Sequence, residues 1–225
     1  MRIDLKEFIE KYRKEINNQE FEKIYTEYAL GLNSPRDLGK LTELFYKVGV
    51  DPLRYLKVIP ANYADASTLR TMRIPNGVTH IGKDAFHHCY DLTSVTIPDS
   101  VTSIGPWAFS GCSALTNVTI PDSVTSIGDH AFFECSSLTN VTIPNSITSI
   151  ESAAFKSCTS LTSVTIPSSV AFIGDSAFWN CKKLKNITYT GTIADWNNID
   201  KDYDWDRNIP TNCLIRCTDG SIDKE

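Results

Sequence analysis

The sequence predicts a repeat solenoid of the α/β class, with a short parallel β-sheet along one face and short helical or 3₁₀ turns along the other. Two observations predict this fold. A unit of 23 residues recurs without insertion from Leu69 to Lys183. Eight positions of the unit stay apolar from copy to copy. A fixed period brings the same position of successive copies together, so these eight positions are expected to form one continuous core.

The third copy, residues 115–137, shows how the unit is built. Its Val-Thr-Ile segment alternates apolar and polar residues, which predicts a short strand with Thr119 pointing outward. Pro121 ends that strand because proline has no N–H for a neighbouring coil. The later Gly-x-x-Ala-Phe-x-x-Cys segment has apolar residues spaced for one helical or 3₁₀ turn. The eight inward residues of this copy are Leu115, Val118, Ile120, Val124, Ile127, Ala131, Phe132 and Cys135.

The repeated pattern Leu-x-x-Val-Thr-Ile-Pro-x-x-Val-x-x-Ile-Gly-x-x-Ala-Phe-x-x-Cys resembles the BspA-type (treponemal) leucine-rich repeat over about half of the chain. The resemblance implies a curved, right-handed solenoid with the parallel sheet on its concave face. The better-known members of that family are bacterial and protist surface or secreted proteins proposed to bind host or matrix proteins. The resemblance therefore implies a protein-binding function, and it implies no catalytic residue.

Both ends of the chain differ from the repeat, as expected of a solenoid that must cover the apolar ends of its core. Residues 1–62 have apolar residues at helical spacing and predict a small all-α domain, which is either a cap or a docking module. We predict the solenoid for residues 63–190 and an aromatic-rich C-terminal cap for residues 191–225. In that cap, Thr192 is placed to begin a turn that carries Trp196.

Composition limits the partners and the compartment. A net charge of −5 gives no electrostatic footprint for nucleic acid, and no run of 18 apolar residues predicts a membrane span. The charged N-terminus has no signal-peptide core, so we expect a cytoplasmic or virion-associated protein rather than one secreted through such a peptide. The alternative to a free binding module is therefore a structural or accessory component of a larger assembly, such as a phage particle.

Five of the seven cysteines occupy one position of the repeat: Cys89, Cys112, Cys135, Cys158 and Cys181. We interpret this column as small buried hydrophobic residues, because free cysteine is among the most buried residue types. The alternatives are a disulfide or a metal ladder. Cys213 and Cys217 lie on one face of a predicted strand and are also assigned to the core. No cysteine pair has zinc-ligand spacing.

Aromatic residues at the variable positions 12, 15, 16, 19 and 20 of the unit give the first candidate binding surface. Aromatic side chains exposed on a regular scaffold can anchor a protein partner. The alternative is that unselected surface positions simply drift, since scattered apolar residues are normal on protein surfaces. The principal candidates are Trp107, His130, Phe133, Phe172 and Trp179, accompanied by His80, His87 and His88.

The outward face of the sheet is the second candidate surface. It is flat, polar and regular, and its fifth-position column contains Arg73, Thr96, Thr119, Thr142 and Thr165. The family resemblance makes this the usual partner-binding side. Threonine is also simply a good strand residue, which offers a purely structural reason for the column. The same explanation outweighs ice binding, because the adjacent outward column is Ser and Asn.

No catalytic residue, cofactor or metal site is predicted. The chain has no nucleophile elbow, phosphate loop or His-Glu metal motif, and its four histidines occupy variable outward positions. Alternating aspartates from Asp200 to Asp206 resemble the start of an EF-hand loop, but Trp205 and Thr211 stand where that loop needs Gly and Glu. We therefore expect a solvated acidic loop.

One position of the unit tests the backbone. Position 14 is Gly82, Gly105, Gly128 and Gly174, but Glu151 in the fourth copy. A glycine required for a positive φ angle would leave Glu151 strained. We predict instead an ordinary negative φ at this position.

Overall fold

The computed structural model describes residues 58–59, 69–74 and 76–223 of the 225-residue chain. The helical domain predicted for residues 1–62 lies outside these residues, except for Val58 and Ile59, which form a strand. The remaining described residues form the predicted parallel-sheet solenoid, so the fold class is confirmed. No helix in these ranges is long and apolar enough to cross a membrane.

The solenoid contains fifteen short strands and one short helix in its described residues. In chain order they are β1 (Val58–Ile59), β2 (Thr71–Arg73), β3 (His80–Ile81), β4 (Ser94–Thr96), β5 (Ser103–Ile104), β6 (Asn117–Thr119), β7 (Ser126–Ile127), β8 (Asn140–Thr142), β9 (Ser149–Ile150), β10 (Ser163–Ile166), β11 (Phe172–Ile173), β12 (Asn186–Tyr189), α1 (Ile193–Asn198), β13 (Asp200–Lys201), β14 (Leu214–Cys217) and β15 (Gly220–Asp223).

The main sheet has eight strands in the order β15-β14-β12-β10-β8-β6-β4-β2. Its strands pair in parallel and equivalent repeat positions face each other, as in the pairing of Val95 with Val118. The exception is β15, which runs antiparallel to β14 and ends the sheet. The alternation of exposed and buried residues in each strand places the Val of every Val-Thr-Ile segment in the core, as predicted.

A second parallel ladder, which the sequence did not predict, runs along positions 12 and 13 of the unit. It consists of two-residue strands in two groups, β1-β3-β5-β7 and β9-β11-β13. Ser103 pairs with Ser126 in the first group, and Phe172 pairs with Ser149 in the second. A two-residue segment carries too little alternation to be recognised as a strand from sequence, because strand patterns need about four residues.

The third side of each coil is a chain of tight turns and not the predicted helical or 3₁₀ turn. The N–H of Cys89 donates to the carbonyl of Phe86, three residues back, at 3.1 Å. The N–H of Phe86 donates instead to Ala108 of the next coil at 2.7 Å. The same alternation recurs in later coils. A helix directs its N–H groups along its own axis, whereas this arrangement directs every second one to the neighbouring coil.

Two positions of the turn segment adopt left-handed backbone angles in every described coil, with φ between 52° and 74°. Position 16 contributes Asp84, Trp107, His130, Ala153 and Ser176, and position 20 contributes His88, Gly111, Glu134, Ser157 and Asn180. Residues other than Gly, Asn, Asp and His rarely adopt such angles, so inter-coil hydrogen bonding must hold the remaining residues there. Position 14 is not among these residues, and the predicted negative φ of Glu151 is confirmed.

Glycine at position 14 serves close packing between coils. A Cβ atom on Gly128 would lie 2.6 Å from the backbone nitrogen of Pro106. The N–H of Gly128 donates to Ile104 of the preceding coil at 2.9 Å, whereas the N–H of Glu151 makes no equivalent bond to Ile127. The second ladder is interrupted at this same junction, between β7 and β9.

The main sheet also loosens at the junction between coils three and four. There β6 and β8 pair through one residue pair, Asn117 with Asn140, whereas β4 and β6 pair through three. A small apolar void, lined in part by Ile127 and Ile150, lies beside Glu151 and leaves no room for a water molecule. Both ladders are therefore weaker at the junction where Glu151 replaces the glycine.

The core consists of continuous columns of identical residues. The five phenylalanines at position 18 stack with ring centroids 5.1 to 5.5 Å apart and planes within 9° of parallel. All five are fully buried. Serines at position 9 connect neighbouring coils: the Oγ–H of Ser123 donates to Val101 at 2.6 Å, and Ser169 donates to Ile147 at 2.7 Å.

The C-terminal segment closes the end of these columns. Thr192 begins α1 with a reciprocal capping box with Asp195, which confirms its predicted role at a helix start. Trp205 contacts the last ring of the phenylalanine column, Phe178, edge to face at 6.3 Å, and it also contacts Trp196. The core thus ends against aromatic rings rather than against solvent.

Candidate functional site

The turn side of the first three coils carries a continuous row of aromatic rings, which we call the aromatic edge. The rings of Trp107 and His130 stack at 4.0 Å with an interplanar angle of 10°, and both contact Phe133 edge to face, at 5.7 and 5.6 Å. The edge consists of Tyr90, His88, His87, Trp107, His130 and Phe133. Three of the five principal aromatic candidates therefore lie together.

The backbone positions these rings. Trp107 and His130 both occupy the left-handed position 16, and each donates its N–H to the following coil, to Asp129 at 2.9 Å and to Ser152 at 3.0 Å. Equivalent residues of neighbouring coils therefore point the same way at a separation of about 4.8 Å. That separation is close to the distance at which flat rings stack, which explains the contact between Trp107 and His130.

Two histidines of the edge, His87 and His130, have lowered pKa values that favour the neutral imidazole. Burial lowers the pKa of the His130 imidazole; the Asp129 carboxylate opposes this shift and the Lys156 ammonium adds to it. Burial also lowers the pKa of His87, and His88 lowers it further. The Nδ1 atom of His130 is buried without a hydrogen-bond partner. A histidine held neutral in this way contributes apolar surface at neutral pH.

The other two aromatic candidates lie apart from the edge. Trp179 contacts the Lys156 ammonium, which sits over its ring at 4.6 Å from the centroid. Phe172 belongs to β11, in the second ladder, and lies on another side of the coil. Both side chains are half-buried, as are Trp107 and Phe133. The variable positions thus form separate patches rather than one surface.

The sheet face is built as predicted but contains more internal bonding. The column of Thr96, Thr119 and Thr142 is exposed. Beside it, the Oγ–H of Ser163 donates to the Asn140 amide oxygen at 2.5 Å. Arg73 and Thr165 complete the candidate column on β2 and β10. The face is uncharged from β4 to β10.

The cysteine column forms part of the packed core, as predicted. None of the five cysteines forms a disulfide, all five are fully buried, and Cys213 is buried as well. The Sγ–H of Cys135 donates to the carbonyl of Phe109 at 3.2 Å. Burial raises the pKa of the Cys181 thiol to about 12 and that of Cys135 further still. Since thiolates are the reactive species, these cysteines are inert in the folded protein.

We expect an alkylating reagent to label Cys217 in the folded protein and to leave the five column thiols unmodified. Cys217 is half-exposed, although burial raises its pKa, so its labelling should be slow at pH 7 and faster at higher pH. Mass spectrometry of labelled peptides measures each site. Unfolding in denaturant should expose all seven thiols. Rapid labelling of Cys135 in the folded protein would contradict its assignment to the core.

The acidic loop has other partners for its carboxylates. Asp202 accepts a hydrogen bond from the backbone N–H of Asp175 at 2.9 Å, and Asp204 pairs with Arg207 at 3.3 Å. In the described ranges, no three histidine, cysteine or acidic side chains are grouped as metal ligands would be. The loop thereby connects the C-terminal segment to the fifth coil.

Sequence reasoning missed Tyr90 and the continuity of the edge. Tyr90 is 51% exposed and stacks on His88 at 5.2 Å. It occupies position 22, where later copies have Ser, Thr or Lys. An aromatic residue in this otherwise polar column was the sequence feature that could have identified it. The contact between neighbouring rings had no such signal, because it depends on the left-handed turns.

Comparison with known proteins agrees with this architecture. The family model for the BspA type leucine rich repeat region matches residues 57–185 in six copies, which is more than half of the chain. A comparison with curated proteins finds no match to this chain.

Solved structures similar to this chain are bacterial leucine-rich repeat proteins. One from Bacteroides ovatus is 36% identical, with a TM-score of 0.57 over 59% of this chain and 35% of its own. The leucine-rich repeat protein of T. pallidum is 30% identical, with a TM-score of 0.55 over 68% of this chain and 74% of its own. One from Eubacterium ventriosum, at 24% identity and a TM-score of 0.56, shows the same fold. This chain matches about a third of the Bacteroides protein's length.

Proposed function

The chain belongs to the BspA-type leucine-rich repeat family, and from that premise we propose that it is a non-enzymatic module that binds another protein through its aromatic edge. The carrying observation is the contact of six rings across three consecutive coils. Aromatic side chains contribute strongly to binding energy at protein–protein interfaces, and here they are grouped on a rigid surface.

The packing of the rings favours a protein partner over a sugar. A sugar stacks on an open aromatic face, but one face of Trp107 is covered by His130 and its other neighbour, His87, meets it edge-on at 6.0 Å. His88 and Tyr90 are exposed and the other four rings are partly exposed, so the six rings form a ridge along the turn side. A ridge of this kind fits an apolar groove on a protein, where its atoms can be fully desolvated.

The histidines and the rigid backbone support the same proposal. Neutral His130 and His87 can be desolvated at neutral pH without the cost of burying a charge. Inter-coil hydrogen bonds fix the backbone of Trp107 and His130, so little further ordering is needed on binding. The uncharged sheet face offers hydroxyl and amide groups but no aromatic anchor from β4 to β10.

We expect Trp107→Ala and Phe133→Ala together to weaken binding to the protein partner by about thirtyfold or more, the effect of losing a hot spot worth about 2 kcal/mol. Trp107→Ala should fold normally because Ala153 occupies the same left-handed position one coil beyond His130. The measurement is affinity capture from the native source with the full chain as bait, followed by titration of the captured protein against each variant.

The control is Thr119→Ala, which removes an exposed hydroxyl from the sheet face and leaves the edge intact. Binding that survives the loss of Trp107 and Phe133 but is weakened by Thr119→Ala would move the site to the sheet. The captured protein also distinguishes the two functions considered from the sequence. Components of a phage particle would identify the chain as part of an assembly rather than a free binding module.

A further inference from the structure

The last coils carry a second distinctive surface, far from the aromatic edge along the solenoid, which we call the basic corner. It consists of Lys182, Lys183, Lys185 and Arg216. All four side chains are exposed. The three lysines lie where the turn segment of the fifth coil passes into β12, and Arg216 lies on the adjacent strand β14.

The repeat itself shows what the fold needs at the lysine positions. Position 22 has Ser113, Ser136 and Thr159 in the preceding three coils, and each hydroxyl donates to the carbonyl of the coil before it at 3.4 Å. Position 2 has a threonine in four consecutive copies, with the same kind of bond at 2.9 to 3.4 Å. Lys182 and Lys185 replace these residues.

The lysines therefore remove bonds that hold coils together elsewhere. Neither Lys182 nor Lys185 makes a side-chain bond to the preceding coil, and the N–H of Lys183 lacks the inter-coil bond that Ser160 makes to Ser136 at 3.1 Å. The backbone bond from Lys185 to Thr162, at 3.0 Å, keeps the strand in place. The fold does not explain three cations at these positions.

No ion pair neutralises the positive charge of the corner among the residues that the structure describes. Among the described carboxylates, ion pairs form with Lys83 and Arg207, and none forms with the four cations of the corner. Arg216 extends toward the lysines, since its Nε–H donates to the Asn186 side chain at 3.4 Å, next to Lys185. Four cations without a described carboxylate partner thus lie on and beside two neighbouring strands about 4.8 Å apart.

We propose that the basic corner binds an acidic peptide segment of a protein partner. Cations without a carboxylate partner, beside a sheet face that is uncharged from β4 to β10, give both attraction and register to a chain of carboxylates. The corner spans only two strands, which suits a short acidic segment. The net charge of the protein is −5, which opposes binding of a long polyanion such as nucleic acid. The proposal does not depend on the aromatic edge.

The test uses the full chain and a fluorescently labelled peptide of alternating Glu and Gly residues, with binding followed by anisotropy. The triple variant Lys182→Ser, Lys183→Ser, Lys185→Thr restores the residue types of the other copies and so should fold at least as well. We expect it to weaken binding by about tenfold or more. Binding by the unaltered protein should also weaken strongly as salt rises from about 0.05 to 0.5 M.

The matched control removes three other cations, through Arg70→Thr, Arg73→Thr and Lys83→Ser, and gives the same net charge as the triple variant. It should leave peptide affinity within about twofold, because charges beyond a Debye length are largely screened. The proposal is overturned if the unaltered protein does not bind the peptide, if both triple variants weaken binding equally, or if double-stranded DNA of similar charge binds more tightly than the peptide.

Discussion

Replacing Phe132 by alanine is expected to lower the free energy of unfolding by about 3–5 kcal/mol, the range for deleting a fully buried phenylalanine side chain. Phe132 has no exposed surface and lies at the centre of the phenylalanine column. Its ring is stacked between Phe109 and Phe155, with both centroid distances 5.3 Å. Truncation therefore removes apolar burial and two ring contacts together.

The coils around Phe132 have little freedom to close the cavity. Backbone hydrogen bonds to both neighbouring coils fix their spacing, for example from Phe132 to Ala154 at 2.8 Å and from Phe109 to Ala131 at 2.8 Å. Since the cost of truncation grows with the cavity that remains, the effect should lie toward the upper end of the range. In a solenoid each coil is stabilised by its neighbours, so the loss should be felt on both sides of coil three.

Urea denaturation followed by circular dichroism measures this change, and Phe133→Ala is its matched control. Phe133 is the next residue and has the same chemistry, but it is half-buried at the aromatic edge. Its truncation should cost less than about 1.5 kcal/mol, the value of its aromatic contacts. Similar losses for the two variants would mean that the stacked column contributes no more than the surface rings.

The two adjacent phenylalanines, Phe132 and Phe133, show which features of the structure could be predicted from the sequence. Phe132 recurs in every copy, so its place in the core followed from the period alone. Phe133 occupies a variable column. That column predicted an outward position, but it did not predict which residues Phe133 contacts. Its contacts with Trp107 and His130 depend on left-handed angles at position 16. Asp84 and His130 are residue types that favour such angles, but the other three residues of that column are not, so the column did not predict them.

The second ladder and the weak junction at Glu151 could not be predicted from the sequence, for a different physical reason. The sequence showed that Glu151 departs from a glycine column, and the negative φ followed from that departure. What it could not show is how closely the coils approach there, because contact between coils depends on the path of both backbones. The column of glycines instead marks a lack of space beside the preceding coil.

Gly128→Ala is expected to destabilise the protein by about 2–4 kcal/mol, through overpacking and the weakening of one inter-coil hydrogen bond. The new Cβ would lie 2.6 Å from the nitrogen of Pro106 and 3.0 Å from the carbonyl carbon of Gly105. Both are backbone atoms, so the clash cannot be relieved by rotating a side chain. The bond from Gly128 to Ile104, at 2.9 Å, must lengthen as the coils separate.

Glu151→Gly tests the same explanation in the opposite direction, at the junction where a side chain already keeps two coils apart. Removing that side chain should let the N–H of residue 151 reach Ile127, so its amide should exchange more slowly with solvent. Glu151→Ala is the matched control, because it removes the carboxylate but keeps the Cβ. If alanine slows exchange as much as glycine does, the part of the Glu151 side chain beyond Cβ, rather than the Cβ itself, separates these coils. If Gly128→Ala leaves stability unchanged, the glycine column is not a packing requirement.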